Sequence, residues 1–215
     1  LGMLAAGVAH EIRNPLSSVK GFATYFKERY QHIPEDQYIA DIMIQEVDRL
    51  NRVITQLLEF ARPIRIFKKP VCINTLVQDS LKLIERQAHD KNVEVEIRFL
   101  PQPEQVSIDS DKITQVLLNL YLNAIEAMTD GGILSVSLSK DKKGVMIRIS
   151  DNGCGIAQQD LAHVFDPYFT TKSTGTGLGL AIVNNIVEAH EGYIRIESQI
   201  GQGTTVELRL PSSSS

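Results

Sequence analysis

Near Pro70 the spacing of apolar residues changes from one period to another, and this change constrains the chain more than any other feature. Before it, Leu4, Val8, Ile12, Leu16, Val19, Phe22 and Phe26 recur at intervals of three and four, and Ile39, Met43, Val47, Leu50, Ile54 and Leu57 do the same. That is the period of an amphipathic helix. After it, five short stretches alternate instead: VEVEIRF, ILSVSLS, VMIRIS, YIRIES and TVELRL. A helical stripe and an alternating strand bury their faces against different kinds of neighbour, so the chain divides into an all-helical part and a part that mixes strands with helices.

The helical part predicts one helix over residues 1 to 30, a turn at QHIPED, and a second helix over 35 to 61. Two helices cannot enclose a core by themselves, so the continuous stripe predicts a second copy and a four-helix bundle across a two-fold axis, that is, a homodimer. Pro15 interrupts the first helix without interrupting its apolar period. It has no N–H for the Glu11 carbonyl, so a bend just past His10 is expected. The stretch RPIRIFKKP, with two prolines and four basic residues, reads as a hinge. Beyond it, the five strands and helical windows at 74–89, 111–129 and 177–189 predict a one-sided sheet covered by helices, a two-layer α/β sandwich. The expected boundaries are 1–62, a linker at 63–70, a second domain at 71–211 and a flexible tail at 212–215.

Composition narrows the function. With 43% hydrophobic and 22% charged residues the 215-residue chain is that of a globular protein, and a formal charge of -4 gives no basic face for broad nucleic-acid binding. No run of eighteen apolar residues and no export signal is present, so this fragment is expected to be cytoplasmic and to make no membrane contact. Cys72 and Cys154 lack metal-ligand spacing and read as reduced thiols.

Three stretches carry chemistry. In DKITQVLLNLYLNAIEAM, Ile113, Val116, Leu117, Leu120, Ala124 and Met128 share one helix face, while Gln115, Asn119, Asn123 and Glu126 fall on its flank. A polar flank is usually only a solvated edge, but two amides in register also suit Mg²⁺ held together with phosphate oxygens. DNGCGI follows a strand directly, and there Asp151 can accept a hydrogen bond from an exocyclic amine while Gly153 and Gly155 let backbone approach a flat ligand. The segment FDPYFTTKSTGTGLGLAIVNNIVEAH supplies glycines 175, 177 and 179 before a helix, whose first N–H groups can bind phosphate. It fits neither a P-loop nor a dinucleotide fingerprint. Residues 157 to 176, with few strand signals, read as a lid from which Lys172 could reach a terminal phosphate. His32, His89, His163 and His190, together with Phe165 and Phe169, read as structural, and Lys68 and Lys69 as a solvated linker.

HEIRNPL, NLYLNAIEAM, DNGCGI, FDPYFTTK, GTGLGL and GQGT resemble, in order and spacing, the H, N, G1, F, G2 and G3 boxes of sensor histidine kinases. The likeness covers nearly the whole chain and is greatest to the nitrogen-regulation branch and to zinc-responsive envelope-stress sensor kinases. It implies a dimerisation and histidine-phosphotransfer hairpin followed by a catalytic ATP-binding domain of the histidine kinase/gyrase type, an α+β architecture overall. His10 would be the phosphoacceptor, with Glu11 taking the proton of its other ring nitrogen. Asn123 would ligate Mg²⁺, Asn119 would lie close to the phosphates, and Asp151 would read adenine. Lys172 and the backbone of Gly175, Gly177, Leu178, Gly179 and Leu180 would hold the phosphate chain, and Thr204 would line the adenine pocket. The partner would be the receiver domain of a response regulator. Asn14, one turn after His10, would orient water for hydrolysis of the regulator's phospho-aspartate. The full-length protein would be anchored in a bacterial inner membrane. The other class open to such a domain is an ATP-binding scaffold without phosphohistidine, in which a histidine followed by glutamate on a bent dimerisation helix has no purpose.

Overall fold

A computed structural model of the chain describes residues 2–61, 64–172 and 175–211; for residues 2–11, 59 and 61 the backbone alone is described. The chain forms two compact units, Leu1–Pro63 with Thr170–Leu178, and Ile64–Phe169 with Gly179–Ser215. No helix among the described residues is long and apolar enough to cross a membrane.

The first unit is built on two helices, α1 (Gly2–Arg29) and α2 (Pro34–Ala61), and α1 runs unbroken through Pro15. Glu35 and Asp36 in the first turn of α2 complement the positive end of its dipole. Among the described residues, side-chain pairs join the helices from Arg13 to the Thr55 hydroxyl at 2.7 Å, from Lys20 to Asp48 at 2.6 Å and from Lys27 to Asp41 at 2.6 Å, and near the turn the Gln37 amide donates to the Lys27 carbonyl. The three pairs share one spacing. They advance by seven residues along one helix as they retreat by seven along the other, the step that brings antiparallel helices back to the same edge every two turns. Between them Ala23, Ala40 and Val47 are buried, small side chains that let the helices approach. Phe22, Tyr25, Phe26, Tyr38, Ile39 and Leu50 remain exposed on this single copy.

The second unit holds a five-stranded sheet of β2 (Val93–Arg98), β4 (Gly132–Asp141), β5 (Gly144–Asp151), β6 (Tyr193–Gln199) and β7 (Gly203–Pro211), in the spatial order β2-β4-β5-β7-β6. β2 pairs with β4 in parallel and every other pair is antiparallel. All five alternating stretches of the sequence are in this sheet. Their register stacks like with like: Leu138, Ile147, Leu208 and Ile194 form one row across the strands, and Val136, Ile149, Val206 and Ile196 the next. Helices α5 (Ser110–Ala127) and α7 (Gly179–Ala189) cover this face, and α5 packs on α3 (Ile73–Lys82) as well. The other face carries Ser137, Arg148, Glu207 and Arg195, with Arg148 Nε 3.0 Å from Glu207.

Three features depart from the sequence reading. The expected helix over 74–89 is two: the chain turns at Leu83 and Ile84, and α4 (Glu85–Asp90) follows. β1 (Lys69–Cys72) and β3 (Gln105–Ile108) form a separate two-stranded sheet, so a strand begins inside the segment read as linker. A short helix, α6 (Gln158–Leu161), lies within the segment read as a lid.

Lys68 is also not a free linker side chain, for it pairs with Glu191 at 2.7 Å. Beside this pair, Asp109 caps α5 by accepting from the Lys112 N–H at 3.2 Å, and its other oxygen accepts from the Phe67 N–H at 2.9 Å. The Asp109 N–H donates to His190 Nε2 at 3.0 Å, and His190 Nδ1 is 2.8 Å from the Ile186 carbonyl. A backbone N–H can only donate and a carbonyl can only accept, so the imidazole is neutral with its proton on Nδ1. Burial lowers the pKa of His190, and the charge of Lys68 lowers it further. Burial would raise that of Asp109, but the N–H groups of Phe67 and Lys112 outweigh it and hold the carboxyl below its usual value.

Candidate functional site

The helix-covered face of the sheet ends in a row of a different kind. Beyond the two apolar rows the register brings Leu134, Asp151, Thr204 and Ser198 side by side, so three of the last inward positions of β4, β5, β7 and β6 are polar. A polar group at the end of an apolar face is costly unless it is bonded, and these are. Asp151 Oδ1 accepts from the Gly153 N–H at 2.9 Å and from the Thr204 N–H at 3.2 Å, which fixes the plane of the carboxylate. Ser198 Oγ accepts from the Ile156 N–H at 2.8 Å and lies 2.9 Å from Thr204 Oγ1. Asn152 turns the other way and accepts from the Ile133 N–H at 2.9 Å, tying the loop to β4.

Backbone contacts hold the same loop from two further sides. The Cys154 N–H donates to the Ala127 carbonyl in the last turn of α5 at 3.0 Å, and the Gly201 N–H to the Cys154 carbonyl at 2.9 Å. The turn between β6 and β7 therefore closes over the loop after β5. Gly203, the first residue of β7 after that turn, has φ of +97°, and a Cβ there would lie 1.9 Å from the Asp151 carbonyl oxygen. No residue with a side chain fits while the strands keep this approach.

Asn119 and Asn123 stand one turn apart on the partly exposed flank of α5, as the sequence requires. Asn119 Nδ2 donates to the Gln115 carbonyl at 2.9 Å, which leaves its oxygen directed at the start of α7. A Cβ at Gly179 would be only 3.2 Å from that oxygen. A side-chain carbonyl thus lies beside the first residue of a helix, whose leading N–H groups suit an anion while the carbonyl suits its accompanying cation.

The second unit thus supplies Asn119, Asn123, Asp151, Gly153, Gly155, Gly179, Leu180 and Thr204 from one end of its sheet and the flanking helices. Lys172, Gly175, Gly177 and Leu178 belong to the segment that groups with the helical hairpin. In α1, Asn14 is exposed, and residue 10 lies one turn before it along the backbone. The side chains of His10 and Glu11 lie outside the described residues. Sequence reasoning passed over Ser198 and Asn152. The signal for Ser198 was present, since in YIRIES the inward positions run isoleucine, isoleucine, serine, the same switch from apolar to polar that marks Asp151 at the end of β5.

Comparison with known proteins bears on both units. The family described as histidine kinase-, DNA gyrase B-, and HSP90-like ATPase matches residues 108–214, and the His kinase A (phospho-acceptor) domain matches residues 1–64. The sensor histidine kinase ZraS of Escherichia coli K12 is 49% identical over 211 residues, 98% of this chain and 45% of that protein, so the chain spans about half the length of such a relative. Among solved structures, full-length ShkA in complex with AMPPNP is 26% identical with a TM-score of 0.81, covering 100% of this chain and 47% of that one. Histidine kinase ThkA in complex with the response regulator protein TrrA is 28% identical with a TM-score of 0.75, covering 99% of this chain and 62% of that one.

Proposed function

This chain belongs to the sensor histidine kinases, and on that premise we propose that it phosphorylates His10 from ATP and passes the phosphoryl group to an aspartate of a response-regulator receiver domain. The observation that carries the reading is the fixed carboxylate of Asp151 at the polar end of the sheet, in a chain whose first 64 residues match a phosphoacceptor domain. An acceptor held by two N–H groups suits the exocyclic amine of adenine, and Thr204 lies next to it in the same row. ShkA, of similar fold, was solved with AMPPNP.

The phosphate chain falls to the N-terminus of α7, from Gly179 and Leu180, and to Asn119; Gly175, Gly177, Leu178 and Lys172 are assigned to it on the sequence motif alone. Mg²⁺, when bound, would neutralise charge on the phosphates, and the neutral carbonyl donors of this flank fit a hard cation whose remaining ligands are phosphate and water. Asn123 is the protein ligand we assign to it. At His10 a neutral imidazole nitrogen attacks the γ-phosphorus: the N–P bond forms, the bond to the β-phosphate oxygen breaks, and ADP leaves. Glu11 takes the proton of the other ring nitrogen, so the charge left on the ring is compensated. In the second step the aspartate of the receiver displaces the histidine. The reverse traffic, hydrolysis of the phospho-aspartate, is assigned to water oriented by Asn14. The exposed apolar residues of α1 and α2 are the surface on which a second copy completes a four-helix bundle.

The test is transfer of label from γ-labelled ATP. Wild type should acquire a label that is lost in acid and stable in alkali. His10→Ala and Asn123→Ala should acquire none while keeping their circular dichroism, and Asn14→Ala should label normally but slow the decay of a phosphorylated receiver. An acid-stable label, or one that survives His10→Ala, would overturn the reading.

A further inference from the structure

Ser198 closes the inward side of β6, and its hydroxyl has three neighbours at hydrogen-bond distance. It accepts from the Ile156 N–H at 2.8 Å, and it lies 2.8 Å from the Gly203 carbonyl oxygen and 2.9 Å from Thr204 Oγ1. A serine hydroxyl has one proton and two lone pairs. The Gly203 carbonyl can only accept, so the proton goes there; the Ile156 N–H can only donate, so it takes one lone pair. What remains for Thr204 is the second lone pair. The Thr204 hydroxyl must therefore donate to Ser198, and its single proton is committed. Toward any other group, the Thr204 oxygen offers lone pairs alone.

We infer that Ser198 determines the base specificity of the site by fixing the Thr204 hydroxyl as an acceptor. With the Asp151 carboxylate in the same cross-strand row, the end of the sheet then presents two acceptors and no side-chain donor from this pair. Such an edge favours a purine whose 6-amino group faces the two acceptors and disfavours one that presents a 6-carbonyl there, because opposed lone pairs leave both groups unbonded. The inference rests on the proposal that Asp151 reads adenine, and it adds which residue enforces the choice. Ser198 is a positioning residue that acts through Thr204. Its bond to Ile156 also steadies the loop that follows Asp151, so a purely structural role has to be separated from the electronic one.

The experiment compares ATP with inosine triphosphate, which carries a carbonyl in place of the amine. Affinities for the whole chain are read by displacement of a fluorescent ADP. Wild type should prefer ATP. In Ser198→Ala the Thr204 hydroxyl is free to rotate and donate, so the preference should fall by about tenfold, the worth of roughly one hydrogen bond. Ser198→Thr keeps the hydroxyl and should restore it. If Ser198→Ala weakens both nucleotides equally and leaves the ratio unchanged, the residue only holds the turn and the inference is overturned. If wild type shows no preference for ATP, the reading of Asp151 itself falls. Should Ser198→Ala fail to fold, Thr204→Val removes the oriented oxygen and must reduce the same ratio; an unchanged ratio there also overturns the inference.

Discussion

The helical hairpin and the α/β unit solve the problem of burial in opposite ways. In the hairpin, the buried apolar side chains among the described residues are Ala23, Ala40 and Val47, while Phe22 is 64% and Tyr38 69% exposed. In the α/β unit the large side chains of the sheet and its helices, such as Ile147, Leu208, Ile113, Leu117 and Ile186, are almost wholly buried. An apolar stripe left in water is an unfinished core, and a finished one makes a unit that needs nothing further. The ion pairs of the hairpin do not make up the difference. Lys20–Asp48 and Lys27–Asp41 are close to half exposed, and pairs so placed contribute little while still fixing the register of the two helices. One unit is thus built to be completed by a surface outside itself, and the other to be a self-sufficient support for a site.

Charging the exposed stripe should break that contrast most severely. Phe22→Glu with Leu50→Glu is expected to abolish the dimer in sedimentation and with it the cooperative melting of the helices, while leaving nucleotide affinity as it was. A stable dimer of this variant would mean that the second copy is held elsewhere. A smaller effect is expected from Leu208→Ala, which opens a cavity in the finished core and should cost about 2–5 kcal/mol in denaturant unfolding. Leu57→Ala, at a partly exposed position of the hairpin, should cost clearly less in the monomeric double-glutamate variant. Equal costs would remove the distinction.

Acid should separate the units more gently. His190 has a folded-state pKa below the ordinary value near 6.5, so as pH falls through about 6.5 the unfolded chain takes up a proton that the folded one refuses. The α/β unit should therefore lose stability below that pH and show no such dependence above it. Asp109, whose pKa is also lowered, adds a second loss only as pH falls through the carboxylate range. His190→Gln should lack the first step in melting curves recorded between pH 7 and pH 5. Least of all is expected from Lys68→Ala, because Glu191 is exposed and the pair well solvated; a clear fall in melting temperature would show that the segment before β1 is held by this pair and not by Asp109.

The same contrast decides what could be read in the sequence. The five sheet strands were legible because each carries at least two apolar residues at alternate positions, and α5 because its stripe runs for five turns. β1 and β3 were not, since KPVC and QVSI are too short for a period to show and the first contains a proline. The break between α3 and α4 was hidden because Leu81, Ile84 and Ala88 continue the helical spacing across it and are all buried. At the site, Asp151, Gly153 and the amides of α5 stood out by type and spacing. Ser198 shows in the sequence only as a polar residue ending the apolar alternation of YIRIES; that its hydroxyl meets partners from positions 156, 203 and 204 is recorded by no local pattern. The fastening of Phe67 to Asp109 and of Asp109 to His190 was illegible for the same reason.

The strand order has a consequence for how the protein comes into being. In the described sheet β6 pairs only with β7, and β7 is also the sole link from β6 to β5. On a ribosome, α1, α2 and residue 10 emerge long before Thr204, and until β7 is made neither Thr204 nor Ser198 has its neighbours. The contacts between α1 and α2 can form while the chain is still growing, but the polar row at the end of the sheet cannot. A message cut short before β7 should therefore yield a chain that keeps its two long helices but lacks the row of Asp151, Thr204 and Ser198, and with it, on the function proposed above, its affinity for nucleotide.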